Sequence, residues 1–306
     1  MSKGIFTLIV TLSLYASAAL AGDLEDGSSA LAKKDYVTAL KKYMSAATND
    51  GNANAQLQIG NIYLSGLGVK ENYVEAAKWY RMAAEQGNAS AQVKIGLRYT
   101  SGEGVTQNHV EAARWYKLAA EQGNLFAQYA LATEYQRGRG LAQDYAEAVR
   151  WYKLAAAQGD IDAKYNIGNM YSKGQGVVQD YSEAISWYKL AAEKGNALAQ
   201  YALGLAYKQG QGVVQDYAEA VRWYKLAAAQ GNSIAQNNLG SMYSEGQGVA
   251  QDYTRAHMWY NLAAIKGGAR TTKNRDTIAA KMTPQQIAEA QKLAHECQAR
   301  NFKKCD

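Results

Sequence analysis

The sequence predicts an all-α fold, a right-handed α/α superhelical solenoid of six helix-loop-helix repeats with capping helices at both ends. A frame of 36 residues recurs six times without insertion or deletion. One position of that frame holds every tryptophan of the chain: Trp79, Trp115, Trp151, Trp187, Trp223 and Trp259. The only proline is Pro284, so glycines interrupt the helical segments. A fixed period of this length indicates stacked units that bury a continuous core between them.

The start of the chain, residues 1–21, is predicted to be a signal peptide. Lys3 supplies a positive charge, residues 5–14 form an apolar run, and Ala19-Leu20-Ala21 resembles a cleavage site. A transmembrane anchor is the alternative, but the apolar run is too short to span a bilayer. We therefore expect an exported mature protein, periplasmic or secreted, that is not stably inserted in a membrane.

Composition argues against nucleic acid as a partner. The chain has 33 basic and 27 acidic residues, a net charge of +6, and the two signs are mixed along the sequence. A nucleic-acid-binding protein would show a clustered basic stripe instead. The hydrophobic content of 48% is ample for a core.

The first segment after the signal, residues 22–54, reads as a degenerate N-terminal capping repeat. It echoes the second helix of the frame, but Lys42 stands where the tryptophan belongs. Terminal repeats have one face without a neighbour, so a more polar unit is expected there.

Each repeat can be explained from its central copy, residues 163–198. Asp160 is placed to cap the first helix, and Gly174 is placed to end it in the left-handed conformation. Asp180 is predicted to cap the second helix, with Glu183 reaching back as a capping box. The tryptophan of the second helix, Trp187 in this copy, is expected to be a structural core residue.

Residues 271–306 leave the frame and predict a C-terminal capping helix and tail. Thr283, Pro284 and Gln286 form a helix start with a cap, a proline in the first turn and a capping glutamine. Cys297 and Cys305 are the only cysteines, and an even pair in an exported chain predicts a disulfide.

The recurring positions read A-x-x-x-[LI]-G-x-x-Y-x-x-G-x-G-V-x-x-[DN]-[YH]-x-E-A-x-x-W-Y-x-x-A-A-x-x-G, and this frame closely resembles the Sel1-like repeat. The resemblance implies an α/α solenoid related to the tetratricopeptide repeat. It covers Ala55 to about Arg270, and departures are few: Ala132 replaces a glycine, His109 a tyrosine and Arg255 a glutamate. The predicted repeats are 55–90, 91–126, 127–162, 163–198, 199–234 and 235–270.

The resemblance also implies a function, that of an adaptor which binds proteins. In such solenoids the first helices line the concave side, and there the variable positions of this chain are rich in tyrosine and asparagine. Tyrosine offers a large, rigid contact area with a polar handle. The predicted groove for a peptide or protein segment consists of Tyr129, Tyr165, Asn166, Asn169, Tyr201, Leu205 and Asn238. The alternative is that these tyrosines pack between adjacent repeats.

The sequence predicts no enzyme activity, no metal site and no cofactor. The histidines His109, His257 and His295 are isolated, and the recurring acid pairs are explained by helix capping. Some relatives with a disulfide in every repeat are linked to penicillin binding, but the repeats here contain no cysteine. Two other functions remain open: a cell-envelope hydrolase of the β-lactamase type and a carbohydrate-binding module.

Overall fold

The computed structural model describes residues 22–49, 51–302 and 305, and for 266 and 267 it describes the backbone alone. The signal peptide predicted for 1–21 lies outside the described residues. The regular secondary structure of the described residues is helical, without a β-strand. The helices are α1 (22–32), α2 (Tyr36–Asn49), α3 (Ala53–Ser65), α4 (Tyr73–Glu85), α5 (Ala89–Ser101), α6 (His109–Glu121), α7 (Leu125–Arg137), α8 (Tyr145–Ala157), α9 (Ile161–Lys173), α10 (Tyr181–Ala192), α11 (Ala197–Gln209), α12 (Tyr217–Ala228), α13 (Ser233–Glu245), α14 (Tyr253–Ala279) and α15 (Pro284–Ala299).

The predicted all-α repeat class, with capping helices at both ends, is confirmed. From α3 to the first part of α14, odd-numbered helices are the first helices of repeats and even-numbered helices are the second. The chain forms two compact units, one ending at Trp151 and one beginning at Tyr152, so their boundary lies inside α8.

The helix starts follow the predicted capping residues. Asp160 accepts a hydrogen bond from the amide of Ala163 at 2.6 Å, and Asp180 accepts from the amides of Ser182 and Glu183 at 2.8 and 3.0 Å. These bonds satisfy backbone donors that have no partner inside the helix.

The capping box predicted for the second helices is wrong. Its second bond would join the Glu183 side chain to the amide of Asp180, but that amide already donates to the carbonyl oxygen of Tyr171 at 3.0 Å. Among the described helices the complete box occurs in α15. There Thr283 and Gln286 exchange bonds of 2.9 and 3.3 Å.

Two kinds of glycine set how closely the elements approach. A Cβ atom on Gly168 of α9 would lie 2.6 Å from the ring of Tyr188 on α10. A Cβ atom on Gly248 would lie 2.3 Å from the backbone of Tyr217, and Gly248 has a φ of +70°. Only glycine fits both the space and the backbone angle at Gly248.

Four tryptophans of the frame are buried: Trp115, Trp151, Trp223 and Trp259. Trp79 and Trp187 are intermediate. An arginine lies over the ring of three of the buried ones, with Arg222 at 4.6 Å from the Trp223 ring centroid as the example in the second unit. In these three repeats the arginine that directly precedes the tryptophan in sequence therefore covers the outer face of its ring.

The two ends of the chain are capped by different contacts. In the N-terminal repeat, Lys42 pairs with Asp23 and Asp26 of α1 at 2.8 and 2.9 Å. At the C-terminus, α14 contains a break at Gly268, where φ is 69° and ψ is −166°, so its two parts are separate helices. Helix α15 then contributes Ala294 and Cys297 to the core of the second unit.

The tail after α15 folds back onto that helix. Cys297 and Cys305 are joined by a disulfide, and the amide of Phe302 donates to the carbonyl oxygen of Cys297 at 2.9 Å. Within the described residues, no helical segment combines the length and apolar character of a membrane span.

Candidate functional site

Two adjoining hollows lie on the first helices of the second unit. One, of about 310 Å³, is lined mainly by α9, α10 and α11, and the other, of about 410 Å³, by α11, α13 and the second part of α14. Tyr201 and Leu205 of α11 line both hollows. We call the two hollows together the groove, defined by Tyr165, Asn169, Tyr188, Tyr201, Leu205, Ser233, Ile234, Asn237, Asn238, Arg270 and Thr271.

Five of the seven residues predicted from the sequence line this groove: Tyr165, Asn169, Tyr201, Leu205 and Asn238. Asn166 is half-buried on α9 and is not part of the lining. Tyr129 is half-buried on α7, which belongs to the first unit. The repeat period brings the five residues together, because equivalent positions of neighbouring first helices lie side by side.

The groove tyrosines combine packing with exposure. The rings of Tyr165 and Tyr188 lie 6.0 Å apart, and those of Tyr201 and Tyr224 lie 6.1 Å apart. Such tilted pairs stabilise the contact between the two helices of a repeat. Tyr165 and Tyr201 are nonetheless only half-buried and line the hollows, so part of each ring is available to a partner.

Hydrogen bonds fix the polar groups at the floor of the groove. The Tyr188 hydroxyl donates to Oδ1 of Asn169 at 2.8 Å. Burial raises the pKa of Tyr188 to about 12, although a hydrogen bond with Ser172 acts in the opposite direction. Burial likewise raises the pKa of Tyr201, and a hydrogen bond with Asn238 lowers it in part. These hydroxyls are therefore neutral near pH 7, where they can hydrogen-bond to a partner without adding charge.

The C-terminal segment closes one end of the groove, a feature that the sequence interpretation missed. Arg270 and Thr271 line the larger hollow, and Nδ2 of Asn274 donates to Oδ1 of Asn237 at 2.9 Å. Arg270 is the last residue of the periodic frame and Thr271 and Asn274 lie beyond it, so the repeat pattern carries no signal for the position of this segment.

A buried row of glutamines was also missed, although the sequence carries a signal for it. The second position of the frame is glutamine in five of the six copies: Gln56, Gln92, Gln128, Gln200 and Gln236. In the second unit, Nε2 of Gln200 donates to the carbonyl oxygen of Ala192 at 3.1 Å, and its Oε1 accepts from Gln230 at 2.8 Å. These bonds satisfy the last carbonyl groups of a second helix and join consecutive repeats. The glutamines are therefore structural residues.

The groove can bind a partner through amide and hydroxyl hydrogen bonds, through apolar contact and through one cation. The part of the chain that the structure describes contains no group of three or more His, Cys, Asp or Glu side chains able to hold a metal ion. Its one His–Glu contact joins Nδ1 of His109 and Oε2 of Glu134 at 3.9 Å, in the first unit.

Comparison with known proteins identifies the repeat. The sequence profile of the Sel1 repeat matches six consecutive segments, 53–88, 89–124, 125–160, 161–196, 197–232 and 233–268. Their period is that of the frame, with starts two residues earlier because the first helices begin at those residues (53 against 55). Among curated proteins, none matches the chain.

Two solved structures are similar over most of the chain. A Sel1 repeat protein from Oxalobacter formigenes is 36% identical, with a TM-score of 0.72, over 79% of this chain and 99% of that one. A protective antigen present in uropathogenic Escherichia coli strains, which displays an SLR fold, is 26% identical, with a TM-score of 0.59. That match covers 95% of this chain and 86% of the antigen.

Proposed function

Because the chain belongs to the Sel1 repeat family, whose helical scaffold is suited to protein–protein interaction, we propose that it is an exported adaptor that binds a protein segment in the groove. The bound segment is extended, and its side chains enter the two hollows on either side of Tyr201 and Leu205. The role is binding without catalysis.

The observation that carries the proposal is the half-buried state of the groove tyrosines. A fully packed core tyrosine would have no surface to offer, and a fully exposed one would have to be ordered on binding. Tyr165 and Tyr201 are held by rings beneath them yet line open hollows. Preorganised aromatic side chains of this kind lose little conformational entropy on binding, so more of the contact energy appears as affinity.

Three features support export. The signal peptide predicted at 1–21 would direct the chain out of the cytoplasm. The Cys297–Cys305 disulfide is stable in an oxidising compartment, such as the periplasm. The similar E. coli protein is a protective antigen, which accords with a location that the immune system encounters.

Fractionation of cells that express the full chain should give a protein shortened by the signal in the periplasmic or secreted fraction, and an unprocessed cytoplasmic protein would contradict export.

A photo-crosslinking experiment in intact cells tests the groove. A photo-reactive amino acid replaces Leu205 in the groove, and in a control chain it replaces Val178, which is 88% exposed on a loop outside the lining. We expect a discrete adduct with a protein from position 205 and not from position 178.

The same adduct should disappear when Tyr165→Ala and Tyr201→Ala are added to the chain with the photo-reactive residue at 205. Circular dichroism must show that this chain keeps its helical signal. Adducts of equal yield at both positions, or an adduct that persists without the two tyrosines, would contradict the proposed function.

A further inference from the structure

We infer that the groove selects partner segments that carry an acidic side chain close to an aliphatic or aromatic one, and that Arg270 binds the acid. This inference rests on the proposed function and specifies the chemistry of the segment. The apolar side chain would lie against Leu205 and Tyr201, and the carboxylate would lie at the end of the groove closed by α14.

The lining of the groove carries one charged side chain. The residues around the larger hollow are tyrosine, leucine, isoleucine, serine, asparagine and threonine, apart from Arg270. The lining of the smaller hollow contains no lysine, arginine, aspartate or glutamate. A single positive charge at one end therefore sets the electrostatic preference of the groove, and a carboxylate is the group in proteins that complements it.

Within the described residues, Arg270 lacks the ion pair that the other arginines of the same unit have. The second unit contains five arginines, and four of them lie within 4 Å of a carboxylate: Arg222, Arg255, Arg275 and Arg300. Arg270 is exposed, and within the described residues it has no carboxylate at that distance. Its guanidinium is thus available for a bidentate bond to a ligand.

The backbone around Arg270 is held in place by hydrogen bonds. Thr271 is only 4% exposed, and its hydroxyl donates to the carbonyl oxygen of Gly268 at 3.1 Å. Asn274, one turn further along α14, is bonded to Asn237 of α13 at 2.9 Å. The first bond holds the local backbone of α14 and the second fixes the segment against α13, so the arginine side chain starts from a defined point beside the hollow.

The size of the larger hollow suits a short segment. A hollow of about 410 Å³ accommodates a few side chains and is too small for a folded domain. Ile234, which is 57% exposed, and Leu205 provide the apolar part of its wall, and Asn237 and Asn238 provide amides for a peptide backbone. Together these groups fit a short extended segment in which acid and apolar side chains are neighbours.

Selection from a displayed library of random peptides tests the inference on the full chain. The wild type should enrich peptides with Asp or Glu near Leu, Ile, Phe or Tyr. Arg270→Gln should keep the apolar preference and lose the acidic one, and Arg270→Glu should enrich Lys or Arg instead. Arg300→Gln, which alters an exposed arginine away from the groove, is the matched control and should select the same peptides as the wild type.

Fluorescence polarisation with the strongest wild-type peptide then measures the effect. We expect Arg270→Gln to weaken binding by about 10- to 100-fold, because a charge-assisted hydrogen bond is lost. Arg270→Lys keeps the charge without the planar guanidinium, and its affinity for the peptide should lie between those of the wild type and Arg270→Gln. Thermal unfolding must give all variants the wild-type midpoint, and Arg270→Lys with Arg270→Glu serves as the pair for comparison if Arg270→Gln fails to fold.

The possible failures are distinct. Acid-enriched peptides that bind Arg270→Gln as tightly as the wild type would overturn the inference. So would peptides that require Tyr201 but show no acidic preference, and that result would leave the proposed function in place. A wild-type protein that enriches no peptide at all would overturn both.

Discussion

Helices α7 and α13 have the same repeat frame but bury side chains of different polarity. Helix α7 is the first helix of the third repeat, in the first unit, and α13 is the first helix of the last repeat, in the second unit. Glu134 of α7 and Met242 of α13 occupy the same frame position, and they are 6% and 0% exposed. The neighbouring second helices differ as well, since His109 begins α6 where Tyr217 begins α12.

The surroundings of Glu134 explain how the first unit accommodates a carboxylate. Burial raises the pKa of Glu134, and the nearby positive groups of His109, Arg139 and Arg137 lower it in part. Nδ1 of His109 lies 3.9 Å from Oε2 of Glu134, and within the described structure neither atom has a hydrogen-bond partner. The helices keep the same geometry, so glycines and capping residues determine the repeat, and a charge at this core position requires a cation from a neighbouring helix.

Placing the carboxylate in the second unit should have the largest effect. Met242→Glu buries a charge without a cation beside it, and we expect a loss of about 3–5 kcal/mol in the free energy of unfolding. Urea unfolding followed by circular dichroism at pH 7 measures it.

Two further variants give the controls for Met242→Glu. Ile234→Glu adds the same charge at an exposed position of α13 and should change stability by less than about 0.5 kcal/mol. Tyr217→His combined with Met242→Glu copies the pair of the first unit and should recover part of the loss. A cost for Met242→Glu no larger than that of Ile234→Glu would show that this position is not a closed core.

Removing the carboxylate from the first unit should have a smaller effect of opposite sign. We expect Glu134→Met to stabilise the protein by about 1–2 kcal/mol near pH 8, because apolar replacement of a buried charge is commonly favourable. The gain should depend on pH. A carboxyl whose pKa is raised by folding contributes stability below its unfolded value, here 4.5, and loses it as the pH rises through the folded value.

The stability difference between Glu134→Met and the wild type should therefore shrink from pH 8 towards pH 4. Thermal unfolding across that range measures the trend. Glu121→Met, at an exposed position on α6, is the control and should show no such trend. A gain that is the same at both pH values would rule out titration of Glu134 as its origin.

The repeat period and the helix caps are the features that the sequence predicts well. The period, the helix ends and the capping residues are local signals, so Asp160 and Gly174 lie where the frame places them, at the start and end of α9. The same period puts Tyr165 and Tyr201 at equivalent positions of neighbouring first helices, and both line the smaller hollow.

Other features depend on tertiary contacts that no local pattern encodes. The capping box was predicted from spacing, but the amide of Asp180 donates its hydrogen bond to the carbonyl oxygen of Tyr171 in the preceding helix. Arg270 enters the groove because the chain breaks at Gly268 and Asn274 bonds to Asn237. The break at Gly268 and the Asn274–Asn237 bond lie at the end of the periodic part, where no equivalent copy exists to compare.

The smallest expected effect concerns the tryptophans, because the residue that precedes the tryptophan differs between repeats. In the first unit, Arg114 lies over Trp115 and Arg150 over Trp151, at 4.4 and 4.5 Å. In the second unit the residue before Trp187 is Ser186, and Trp187 is less buried than those two.

Ser186→Arg should add the arginine–tryptophan contact that Trp115 and Trp151 have. The new guanidinium would lie over the Trp187 ring and three residues from Glu183, as Arg222 lies over Trp223 and pairs with Glu219 at 3.1 Å. We expect a stabilisation of about 0.5–1 kcal/mol, measured as a higher urea midpoint with an unchanged slope. The reverse change, Arg222→Ser, should cost a similar amount. If Arg222→Ser is neutral, the arginine contributes no stability and the burial of Trp223 comes from its helix neighbours alone.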